Sequence, residues 1–115
     1  MNDAAAPLDH ESMDGLRQLG QDVLDDMIDL YLEDTPPRLA ALHAAVVVGD
    51  ARQVREVAHT VKGSSANFGA NLLADLCRLL EQHARQGDLT TAKTAISAIE
   101  TEYDRVRTAL LAQRT

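Results

Sequence analysis

Aromatic side chains are almost missing: one Phe, two Tyr and no Trp make up 3% of the 115 residues. The chain is 45% hydrophobic overall, so any core must be filled by Ala, Leu, Val and Ile. The single cysteine, Cys77, excludes an internal disulfide and reads as a small buried hydrophobe. Glycine (6) and proline (3) are scarce, while Ala and Leu dominate. That balance favours an all-α fold. Long apolar runs are lacking as well. The longest uncharged apolar stretch, around Ala44–Val48, falls far short of the roughly 20 residues that span a bilayer. Met1–Pro7 has neither the basic region nor the apolar stretch of a signal peptide. These absences predict a cytoplasmic protein with no membrane attachment. Positive charge is also in short supply, with 11 Lys and Arg against 18 Asp and Glu for a formal net charge of −7. Nucleic-acid binding calls for a basic footprint, so that class is set aside.

The length suits one domain with one core. Its charge is unevenly spread. Residues 1–35 hold ten of the 18 acids and one base, Arg17, whereas Arg38, Arg52, Arg55 and Lys62 outnumber Asp50 and Glu56 over residues 36–62. A basic island on an acidic protein points to a local anion or an acidic partner face, with ordinary solvated helix faces as the alternative.

Residues 1–8 read as a disordered lead and residues 9–113 as the folded unit. Asp9 can cap a short first helix, about 10–19, with Gly20 as its stop. From Gln21, Val23, Leu24, Met27, Ile28, Tyr31 and Leu32 recur at three- and four-residue steps opposite an acidic face. Thr35-Pro36-Pro37 predicts a kink or a fresh start with Thr35 as N-cap, because proline belongs in a first turn and not in mid-helix. Asp50 caps a third helix with the stripe Val54, Val57, Ala58, Val61, Ser65 and Phe68, which Gly69 ends. Leu72, Leu73, Leu76, Leu79 and Leu80 mark a fourth helix that closes at Gly87, and a fifth follows over about 89–112. The pattern predicts an up-down four-helix bundle with a short additional N-terminal helix.

The chemistry gathers on the third helix. His59 is absent from the apolar stripe. Steps of three and four place it with Arg52, Arg55, Lys62, Gly63 and Ala66 on one exposed face. Gly in mid-helix costs about 1 kcal/mol relative to Ala, in a sequence rich in better helix formers. Gly63 and Ala66 would remove side chains near His59 so that another protein can approach, and Lys62 would supply a point charge for an anion on the ring.

The run His59-x-x-Lys62-Gly63-Ser64-Ser65-x-x-x-Gly69-Ala70 continues in Leu72, Leu76, Cys77, Leu80-Glu81 and the long last helix. It resembles the signature of the histidine-containing phosphotransfer (HPt) family of two-component phosphorelays, over nearly the whole chain after about residue 8. The resemblance implies a four-helix bundle with His59 as phospho-acceptor, taking its phosphoryl group from a receiver-domain aspartate and passing it to another receiver. It implies Lys62 as phosphoryl stabiliser and Glu81 as a partner of the imidazole Nδ1, which would leave Nε2 as nucleophile. Arg52, Arg55, Gly63, Ala66 and Asn67 would meet the partner. No kinase or phosphatase activity and no intrinsic cofactor are implied, since the receiver supplies the Mg²⁺. One exposed histidine facing one receiver needs only a monomer.

Plainer readings stand beside these. Arg52 and Arg55 could be solvated charges, Gly63 a helix-packing glycine and Glu81 a surface carboxylate. Ser65 falls on the core stripe, Ser64 nearer its edge, and Phe68 in the core. His10, His43 and His83 read as surface residues without local partners. Glu56-x-x-His59 has the spacing of a di-metal carboxylate site but no second copy, so no metal site is expected. The remaining alternative is a helical docking or adaptor module that is never phosphorylated.

Overall fold

The computed structural model describes residues 6–115. Five helices follow one another: α1 His10–Arg17, α2 Gln21–Val47, α3 Ala51–Ala66, α4 Asn71–Arg85 and α5 Ala92–Gln113. The described residues contain no strand. Helices α2 to α5 form an up-down bundle in which each packs on the next and α5 returns to α2, with α1 added against α2. The lead expected over 1–8 lies mostly outside the described residues; at its end, Leu8 packs against the core.

The core is aliphatic, as the shortage of aromatics requires. Leu24, Ile28 and Leu42 of α2 meet Val54 and Val61 of α3, Leu73 of α4, and Ile96, Ile99, Val106 and Leu110 of α5, all fully buried. Burying each such side chain contributes about 1.5–3 kcal/mol. The three aromatic rings gather at one point. Tyr31 lies 5.1 Å from Phe68 and 6.0 Å from Tyr103 between ring centroids.

Local chemistry sets the helix ends. Asp9 accepts from Ser12 N at 3.0 Å and Asp50 from Gln53 N at 3.0 Å, so both expected caps form. Helices α2, α3 and α4 close in one way, with a bond back across the turn: Asp50 N to Ala45 O, Ala70 N to Ser65 O and Asp88 N to His83 O. Gly69, in the second of these turns, has φ +67° and a neighbour that tolerates no side chain. A Cβ there would come within 2.6 Å of Asp9 Cβ and 2.7 Å of Ser12 Cβ. The Gly69 carbonyl also accepts from Asp9 N at 2.8 Å, which ties the start of α1 to the α3–α4 turn.

The fresh start expected at Thr35-Pro36-Pro37, with Thr35 as N-cap, does not occur. Helix α2 runs unbroken for 27 residues, and Thr35 is a buried member of its inner stripe. The prolines are exposed, so the carbonyls of Leu32 and Glu33 that lose N–H partners lie toward water. Ile28, Tyr31, Leu39 and Leu42 pack without interruption on either side. That packing outweighs the local preference.

Candidate functional site

Helix α3 buries Val54, Val57, Ala58, Val61 and Ser65, which turns the His59 imidazole outward with 66% of its side chain exposed. A hydrogen bond of 2.8 Å between Tyr31 Oη and Ser65 Oγ fixes this rotation from inside the bundle. Burial pushes the Tyr31 phenol well above its ordinary value, so it stays protonated. On α4, the stripe Leu73, Cys77, Leu80 and Ala84 carries Glu81 inward beside α3, and only 5% of its side chain is exposed.

A buried carboxylate needs donors, and Glu81 has three. Its Oε2 lies 2.8 Å from His59 Nδ1 and 3.2 Å from Arg85, while Lys62 Nζ donates to Oε1 at 2.7 Å. Burial pushes the carboxyl up, but the hydrogen bonds and charges of Lys62 and His59 outweigh it. The group is held below the ordinary glutamate value. An ionised carboxylate can only accept, so Nδ1 donates to it, and in the neutral ring Nε2 then keeps its lone pair. One buried acid thereby orients an exposed nucleophile and anchors a cation beside it.

The residues singled out from the sequence divide into groups. His59, Lys62 and Glu81 form the cluster just described. Arg55 joins His59, Glu56, Thr60, Glu81 and Arg85 around an open cleft of about 390 Å³, room enough for a phosphoryl group. Arg52 turns away to pair with Glu56 at 3.3 Å. A Cβ on Gly63 would meet nothing within 4 Å, so this glycine serves no helix packing and leaves open space beside His59. Ala66 and Asn67 are exposed further along α3, outside the cluster. Asn67 borders a second groove with Met27, Leu30, Asp34, Ser64 and Phe68.

Two features escaped the sequence reading. Arg85 belongs to the site, and its one sequence signal was the i,i+4 spacing from Glu81. Leu30 is 68% exposed at the groove beside Asn67. His43 and His83 lie on the surface as expected; His43 has no local partner but its Nε2 lies 2.8 Å from Glu100 on α5, whereas His83 does have a local one, Asp88 at 3.6 Å, which corrects the expectation there. Those partners arrive through the fold and a turn, which local pattern does not reveal. Cys77 is buried, and burial, aided by the Glu81 charge, pushes its thiol up to about 12, so it is no nucleophile.

Residues 26–109 match the family described as the Hpt domain. The chain belongs to this family. A crystal structure of histidine-containing phosphotransfer protein B (HptB) from Pseudomonas aeruginosa PAO1 agrees at 38% identity, covering 96% of each chain with a TM-score of 0.91. No curated protein matches the chain. As an Hpt domain, it has a histidine phosphotransfer role in a two-component phosphorelay, with receiver domains as the class of partner. Proteins of this family are phosphocarriers and not kinases. Among the described residues, no helix is long and apolar enough to cross a membrane. Nor do three or more His, Cys, Asp or Glu residues among them form a group that could hold a metal ion.

Proposed function

We propose that His59 is the phospho-acceptor and that Nε2 attacks an aspartyl phosphate presented by a receiver domain. The observation that carries this reading is the pairing of an exposed imidazole with a buried, ionised Glu81 at 2.8 Å. As the new P–N bond forms and the P–O bond to the donor breaks, the aspartate leaves as a carboxylate. The ring retains its Nδ1 proton and becomes cationic, and Glu81 balances that charge. The reverse transfer releases neutral imidazole, so the carrier serves either direction. Positioning and charge supply the catalysis.

Lys62 neutralises phosphoryl oxygens from one turn along α3, and Gly63 gives the receiver room to approach. Arg52, Arg55, Ala66 and Asn67 border the docking face, and the groove with Met27 and Leu30 extends it with apolar surface. The chain has no kinase or phosphatase activity of its own in this reading. The receiver brings the Mg²⁺, and the carrier acts as a cytoplasmic monomer, since one exposed histidine meets one receiver. Incubation with a phosphorylated receiver and Mg²⁺ tests the assignment. Acid-labile, base-stable label is expected on the wild type and absent from His59→Gln. Equal labelling of both would overturn it.

A further inference from the structure

Four cations lie on the two helices that form the site, Arg52, Arg55 and Lys62 on α3 and Arg85 on α4, and they are not equivalent. Arg52 is engaged by Glu56 at 3.3 Å. Arg55, Lys62 and Arg85 remain against the single carboxylate of Glu81, so three positive charges less one negative leave two uncompensated. The two cations that hold Glu81 are held differently. Lys62 sits 2.7 Å from Oε1 with a side chain 28% exposed. Arg85 reaches Oε2 at 3.2 Å from a side chain 59% exposed, and shares that oxygen with His59. The longer, wetter contact is the cheaper one to give up. Arg85 also lines the cleft beside His59 together with Arg55, whereas Lys62 does not.

We propose that Arg85 is a phosphoryl-binding residue: when His59 is phosphorylated, it leaves Glu81 and turns its guanidinium onto the phosphoryl oxygens, with Arg55 beside the same cleft. The inference rests on His59 as acceptor. Once Nε2 is bonded to phosphorus, the ring is cationic and its Nδ1–H···Oε2 bond joins two opposite charges instead of one. Glu81 then has its compensation from the ring, and the new dianion takes over the demand for a cation. A planar guanidinium can grip two phosphoryl oxygens at once, which an ammonium cannot.

Phosphoramidate, a small N–P donor, tests this on the full chain without a receiver. Nε2 takes the phosphoryl group, the donor's P–N bond breaks, and ammonia leaves. His59→Gln is treated first, and absence of label upholds the acceptor assignment. Labelled wild type, Arg85→Ala and Arg85→Lys are then followed for loss of acid-labile phosphate and for the phosphorus NMR shift against pH. Arg85→Ala is expected to lose its phosphoryl group roughly fivefold faster. Its phosphoryl oxygens should titrate at higher pH, with Arg85→Lys between the two. An unchanged lifetime in Arg85→Ala overturns the inference. So does a shortened lifetime with the phosphoryl titration unmoved, which would make Arg85 a support for Glu81 only. Label retained by His59→Gln overturns the acceptor assignment, and this inference with it.

Discussion

Two glutamates are buried in this bundle, Glu81 on α4 at 4% exposure and Glu102 on α5 at 5%. Their surroundings differ. Glu81 spreads its charge over donors from His59, Lys62 and Arg85. Glu102 pairs through Oε1 with Arg105 at 2.7 Å, and among the described residues no donor reaches its Oε2. The neighbouring Tyr103 hydroxyl is likewise unmatched among those residues. Burial of an acid is therefore no sign of a site by itself. What sets Glu81 apart is that its second oxygen leads out, through one hydrogen bond, to a nucleophile in solvent.

The largest effect is expected from removing the better-connected acid. Glu81→Ala should slow transfer from a receiver by roughly 100-fold through loss of imidazole orientation, while circular dichroism stays helical. Retention of the wild-type rate would put Glu81 on a level with Glu102. Lys62→Ala pushes Glu81 toward the condition of Glu102, with one oxygen stripped of its donor. A loss of about tenfold in transfer rate is expected, since a charge-assisted hydrogen bond is worth about 1.5–3 kcal/mol. A shorter phosphohistidine lifetime and an intact fold should accompany it, and unchanged rates would remove the role given to Lys62.

On the other side of the comparison, Glu102→Leu should leave transfer unchanged. Stability in urea should be equal or higher by about 1 kcal/mol, as when apolar side chains replace buried ionic ones; Arg105, with 39% of its side chain exposed, stays within reach of water. A slowed transfer would reveal a function at Glu102. The smallest effect is the dependence on pH. The Glu81 pKa is lowered in the folded state, so its contribution is present in full above the unfolded value of about 4.3 and fades as pH falls through the folded one. Acid unfolding should therefore be shallower in Glu81→Gln than in wild type. Identical acid limbs would show that the ion cluster adds nothing to stability.

Much of this was legible from the residues. The outward position of His59 follows from the apolar period of α3, and Asp9 and Asp50 cap helices by chemistry confined to one turn. The proline pair was misleading because a continuous inner stripe through Thr35 overrode a local rule. Tyr31 and Ser65 lie 34 residues apart, and His43 and Glu100 lie 57 apart. Only the folded bundle brings such partners together. Arg85 was hidden for a related reason: an i,i+4 pair on a helix is ordinary surface decoration until its acid is known to be buried beneath a histidine.

Every side chain assigned to the chemistry lies on α3 or α4, the two helices with the most extensive mutual contact. The bond from His59 to Glu81 closes over 22 residues of chain, whereas closing the ring requires α5 to return to α2. The site therefore belongs to one helical hairpin of short sequence separation, the kind of contact a folding chain makes early. The other helices act on it from outside: α2 holds the rotation of α3 through Tyr31 and Ser65, and α1 braces the turn between the two site helices through Asp9 and Gly69. The reactive centre is thus a hairpin clamped at its turn and along its back, with the imidazole left as its outward-facing part.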